Sequence, residues 1–181
     1  VEIFKSLGYG ANQTGLFTRT EVPVAVASLA VLALLNTIRN NRLALMLTYG
    51  FMLLGMFVLA ASTIAKDQQL IGGLSWMVAT GLGAYLAYAP INAVLFERLM
   101  AATGSAGTAV FGIQLADSIG YTGSVLIQIY KDLGNPNGTH LAYFSHFSLA
   151  LGVGGFLLAA AGALYFAIVT RTTPETVKNP T

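Results

Sequence analysis

Five apolar stretches, each long enough to cross roughly 30 Å of hydrocarbon at about 1.5 Å per helical residue, alternate with short polar connections along this chain. They run from Glu21 to Ile38, Leu43 to Ala65, Leu70 to Leu95, Ala106 to Tyr130 and Ala142 to Thr170. Hydrocarbon offers no water to backbone N–H and C=O groups, so segments of this length must be helices that close their own hydrogen bonds. The spacing predicts an all-α integral membrane protein, with residues 1–181 forming a single transmembrane domain within the lipid bilayer.

Composition agrees. The chain is 55% hydrophobic and only 9% charged, with a mean hydropathy of +0.70, whereas soluble domains carry about 25% charge. The few lysines and arginines are scattered rather than massed, which argues against a nucleic-acid partner. There is no cysteine, excluding thiol chemistry, disulfides and a thiolate-bound metal. His140 and His146 alone match no metal-ligand spacing, so neither a metal nor a cofactor is expected.

The connections are Arg39-Asn40-Asn41-Arg42, Lys66-Asp67, Glu97-Arg98 followed by Gly104 and Gly107, and Lys131-Asp132 followed by Gly134 to Gly138. Gly8 to Thr14 is too polar to cross and reads as a surface loop. Val1 to Leu7 lacks the basic start and apolar core of a signal peptide. Glu21 and Pro23 suit the first turn of a helix, where negative charge meets the dipole and a missing N–H costs nothing. Residues 171–181 form a polar tail. With that tail inside, Arg39, Arg42, Arg98, Arg171 and Lys178 are cytoplasmic, against Lys5, Arg19, Lys66 and Lys131 outside, a slight bias in the direction of the positive-inside rule. Asn12-Gln13-Thr14 and Asn137-Gly138-Thr139 match the glycosylation sequon, a pattern too short to decide anything.

Asp117 is the one carboxylate in the middle of an apolar stretch. Such a group costs roughly 2.5 kcal/mol or more on insertion scales unless it faces protein or water, so its position marks a functional site by default. At about 100° per residue, Gln114, Asp117, Tyr121, Ser124 and Gln128 fall on one polar stripe. The plain alternative for Gln114 and Ser124 is interhelical hydrogen bonding that only binds the bundle together. Gly112, Ala116, Gly120 and Gly123 form a second stripe, small enough for a neighbouring backbone to approach closely. Phe111, Leu115, Leu126 and Ile129 make an apolar third face suited to lipid. Tyr85, Tyr88 and Asn92 in the preceding stretch share a face that offers an opposite wall, with Pro90 among them favouring a kink. Gly81 and Gly83 read as packing positions, and Trp76 as a packing or interfacial residue. His146, beside Ser145 and Ser148, is either an ordinary hydrogen-bonding residue or a relay to Asp117. No nucleotide-binding loop, dinucleotide fingerprint or nucleophile elbow occurs, and no enzymatic activity is expected.

Gly81-Leu82-Gly83-Ala84-Tyr85-Leu86-Ala87-Tyr88-Ala89-Pro90, leading into Asn92 and Leu95-Phe96-Glu97-Arg98, and the later block Ala116 to Val125 resemble the C-terminal half of a bacterial branch of the major facilitator superfamily. The resemblance covers most of the chain. It implies half of such a bundle: the last five helices of a transporter built from two six-helix halves, with Val1 to Leu7 a remnant of the helix before them. It further implies a multi-pass protein of the bacterial inner membrane with a cytoplasmic C-terminus, and a gate contacted by Arg39 and Arg42. The gating motif is degenerate here, lacking its aspartate and glycine. The resulting expectation is a proton- or cation-coupled secondary transporter of unknown substrate, working with a missing N-terminal half or a partner membrane chain. The competing expectation is a non-transporting structural subunit of a larger membrane complex, packed through the small-residue stripe.

Overall fold

The computed structural model describes residues 15–104, 107–134 and 140–172, and every regular element among them is helical. These are α1 (Gly15–Thr37), α2 (Asn41–Asp67), α3 (Gly73–Pro90), a π-helical turn (Ile91–Leu95), α4 (Phe96–Thr103), α5 (Ala109–Gly134) and α6 (His140–Thr172). Five rods are long and apolar enough to cross a membrane, the third being the continuous run Gly73–Thr103. Val1 to Leu7, the expected loop from Gly8 to Thr14, both sequons and the tail from residue 173 onward lie outside the described residues.

The helix ends follow from local chemistry. Asn40 caps α2: its Oδ1 accepts from the Leu43 N–H at 3.0 Å, satisfying a donor that has no intrahelical partner. At the other end the Leu70 N–H donates to the Ala65 carbonyl at 2.8 Å and the Gln69 N–H to the Lys66 carbonyl at 3.0 Å. This paired closure needs a left-handed residue, normally glycine, and here Gln69 takes it with φ of 59°. Gly104, with φ of 66°, ends α4 without that cost.

Three expected boundaries are corrected. Helix α1 begins at Gly15, which places Glu21 and Pro23 inside it rather than in its first turn. One backbone bond lost to Pro23 costs less than ending a helix within an apolar stretch, where every backbone group needs a partner. The third rod does not stop at Leu95 but runs to Thr103, so Glu97 and Arg98 are helical rather than part of a connection. Leu70 belongs to the turn before α3.

Helix α2 is the hub. It packs most extensively on α3 and α6, while α1 lies against α3 and α5 touches chiefly α4. Apolar rods solvated by lipid gain no hydrophobic drive toward one another, and in that setting close approach and dispersion supply the attraction. Gly55 and Gly83 meet where α2 crosses α3: a Cβ added at Gly83 would lie 2.7 Å from the Gly55 carbonyl oxygen and 2.9 Å from the Leu59 nitrogen. On the other side of α2, a Cβ at Gly152 of α6 would lie 2.9 Å from the Ala60 nitrogen. Toward one end, Leu45, Tyr49, Met52 and Leu95 form a buried cluster, and Tyr49 stacks on Phe166 of α6 at 6.2 Å.

Two substitutions test this account by thermal unfolding in detergent. Gly83→Ala drives a methyl into backbone atoms that cannot rotate away, and is expected to cost about 1–3 kcal/mol, as overpacked cores do. Gln69→Gly is expected to raise stability by roughly 1 kcal/mol, because glycine takes the left-handed conformation without the steric penalty.

Candidate functional site

Asp117 and Tyr88 face each other across two rods. The Tyr88 hydroxyl donates to the Asp117 carboxylate at 3.2 Å, the described hydrogen bond that joins α5 to α3. The sequence around Tyr88 dictates its direction. Gly83, Leu86, Ala87, Pro90 and Val94 are buried, a helical stripe committed to the bundle interior, which leaves Tyr88 on the far side, 54% exposed.

Pro90 lacks an N–H, and the helix absorbs this by widening into the π turn at Ile91–Leu95. Within that turn the Asn92 Oδ1 is buried with no hydrogen-bond partner. A buried amide oxygen left unsatisfied costs about 1–3 kcal/mol. One turn further on, the Phe96 ring lies over Gly112 of α5, at 2.7 Å from where a Cβ would stand. Tyr88 and Phe96 therefore meet α5 from the same rod, on either side of that turn.

The remaining expected site residues are distributed differently. Gln114, Tyr121, Ser124 and Gln128 are exposed, Tyr121 at 72%. The Ser124 hydroxyl donates to the Gly120 carbonyl of its own helix at 2.9 Å. Of the small stripe, Gly112 is occupied by Phe96, Ala116 is half-buried, and Gly120 and Gly123 have open space where a Cβ would project. Tyr85 does not share the Asp117 wall. It lines a groove between α1 and α3 together with Glu21, Val24 and Gly81. A three-residue step rotates the side chain by about 60°, enough for two flanking helices to receive the two tyrosines separately.

Arg39 and Arg42 are exposed. The arginine that joins elements here is Arg98, whose Nη1 donates to the Asn41 Oδ1 at 2.7 Å and ties α4 to the start of α2. At the opposite end of α2, Lys66 pairs with Asp67 at 3.1 Å and lies 4.8 Å above the ring of Trp76. Trp76 is fully buried, its Nε1 donates to the Thr63 Oγ1 at 3.3 Å, and Phe144 meets it edge-on. Ser145 of α6 donates to the Asp67 carboxylate at 3.2 Å. His146 lines a small cavity of about 240 Å³ with Asp67 and Lys66, so its acidic neighbour is Asp67, while Asp117 is held by Tyr88. Neither Arg98 with Asn41 nor Asp67 with Ser145 was foreseen, because each pair is remote in sequence.

The model of a family of unknown function, DUF5690, matches residues 1–168 and so takes in nearly all of the apolar rods. No curated protein and no solved structure matches the chain.

Truncating the two kinds of arginine separates their roles. Arg98→Ala removes a charged donor from Asn41 and is expected to lower stability by about 1–2 kcal/mol, whereas Arg39→Ala, at an exposed position, is expected to stay within about 0.5 kcal/mol. Chemical unfolding followed by circular dichroism measures both.

Proposed function

We propose that this chain, which belongs to the DUF5690 family of unknown function, is half of a secondary active transporter in which Asp117 holds a proton or a cationic group between the third and fourth apolar rods. The observation that carries this reading is the Tyr88 hydroxyl donating to Asp117 at 3.2 Å beside a π turn. A carboxylate inside an apolar helix is a functional position by default. Here it has a polar partner on another helix and, among the described residues, no cation beside it. Helices widened or broken near polar side chains are where transporters of this architecture place their sites.

Helix α5 adds the second support. Val110, Phe111, Leu115, Ile119 and Leu126 are all more than half exposed, so the helix presents large apolar surface to lipid and to whatever covers its small-residue stripe. A transporter of two repeats rocks one against the other around the bound group, and the open stripe at Gly120 and Gly123 provides a face for the second repeat. The chain then sits as a multi-pass protein in the bacterial inner membrane, with the end of α6 on the cytoplasmic side.

The same open stripe favours the second reading, a structural subunit packed against a different membrane chain. The two differ in what Asp117 does. In proteoliposomes holding the full-length protein and a pH-sensitive dye, at least one compound from a panel of amines, organic acids and sugars is expected to trigger proton entry, and Asp117→Asn to slow it at least tenfold. Substrate-triggered entry at an unchanged rate in the variant removes Asp117 from the mechanism. No entry with any compound, together with cross-links from Gly120→Cys to a foreign chain, establishes the subunit instead.

A further inference from the structure

The groove between α1 and α3 holds a second carboxylate that the sequence placed at a helix end and the structure places elsewhere. Because α1 starts at Gly15, Glu21 lies within the helix and inside the stretch Thr18–Thr37 that is long and apolar enough to cross a membrane. Its side chain lines a cavity of about 270 Å³ with Thr20, Val24, Ala25, Met77, Gly81 and Tyr85. Among the described residues Glu21 makes no ion pair or hydrogen bond. Glu21 is exposed at the rim of this groove, the fourth residue of that stretch, so its charge is open to a ligand.

The lining has two chemistries. Glu21 supplies a negative charge, and the Tyr85 hydroxyl supplies an acceptor that can also donate. Val24, Ala25 and Met77 supply an apolar wall, with the thioether of Met77 able to adapt to the shape of what it covers. Gly81 keeps the floor low: a Cβ there would already touch Val24 at 3.4 Å. The volume falls just below the range typical of drug-sized ligands, about 300–1,000 Å³, and matches a smaller molecule with one charged end.

We propose that this groove binds a small organic cation, an alkylammonium with a compact apolar body, whose N–H groups pair with Glu21 and Tyr85 while the body lies against Val24 and Met77. The site is separate from Asp117, since Tyr85 and Tyr88 leave α3 toward different helices. The proposal does not depend on transport.

Isothermal titration of the detergent-purified full-length protein tests it, using phenethylammonium as the probe, phenethyl alcohol as its neutral counterpart, and empty micelles as the blank. Phenethylammonium is expected to bind at least tenfold more tightly than the alcohol. Glu21→Gln is expected to abolish that preference, Tyr85→Phe to reduce it about threefold, and Asp117→Asn to leave it intact. Gly81→Leu fills the groove and is expected to remove binding of both probes, a check that holds even where the Glu21 variant unfolds. Equal affinity for the two probes, or a preference that survives Glu21→Gln, overturns the proposal and leaves an apolar cleft. A preference lost only in Asp117→Asn assigns the ammonium to the other carboxylate.

Discussion

The crossing of α2 and α3 at Gly55 and Gly83 sets the geometry on which everything else rests. With no side chain on either residue, the two backbones approach until the Gly55 carbonyl stands against Gly83, and the rotation of α3 about its own axis is fixed by that contact. Leu86, Ala87, Pro90 and Val94 then have only one direction to take, inward. Tyr85 and Tyr88 are what remains on the outer arc. A bulkier residue at the crossing would turn α3 and move both hydroxyls, so two packing glycines determine where the polar chemistry points.

Around this hub, the helices are held unequally. Helix α2 is fastened at both ends, by Arg98 on Asn41 at its start and, at its finish, by Ser145 on Asp67 and by Lys66 over Trp76. Bonds of this kind involve charged partners and are worth about twice a neutral hydrogen bond. Helix α5 is tied on two sides. Tyr88 on Asp117 and Phe96 on Gly112 tie it to the third rod, the Tyr143 hydroxyl of α6 donates to its Ile127 carbonyl at 3.3 Å, and the hydroxyls of Ser118, Thr122 and Ser124 donate to carbonyls of α5 itself. In the proposed transporter α5 is the element that carries the coupling group.

The apolar rods were legible because length and hydropathy report directly on the one solvent that tolerates them. The tie between Tyr88 and Asp117 was anticipated in part, since periodicity places each residue on a face even though it cannot say which faces meet. Other features were hidden for physical reasons. Glu97-Arg98 reads as punctuation because charged residues usually lie in connections, yet a helix leaving the apolar zone can continue until a left-handed glycine, Gly104, stops it. Pro23 reads as a helix start because that position costs least, although an interior proline is tolerated when the alternative is a gap in the backbone bonding. The Arg98 contact spans 57 residues of sequence, a distance over which local pattern carries no information. The Gly120 and Gly123 positions were expected to pack, and among the described residues nothing packs on them.

Two acids in apolar helices, each beside one of two tyrosines a single turn apart on α3, pose one energetic question. Neither Asp117 nor Glu21 contributes to the bundle in a way a neutral residue could not match: asparagine at 117 could still accept from Tyr88, and glutamine at 21 would fill the same space. In the proposed membrane setting, retaining a negative charge at Asp117, in the interior of an apolar rod, costs free energy that packing does not return, while Glu21 is exposed near one end of its rod. In the proposed reading a proton or a cationic group offsets that cost at Asp117, and an organic cation pairs with Glu21 in the groove. Since the two tyrosines emerge from the same turns of a helix pinned by Gly83, the two places are mechanically linked: any rotation of α3 that draws Tyr88 away from Asp117 also moves Tyr85 relative to Glu21.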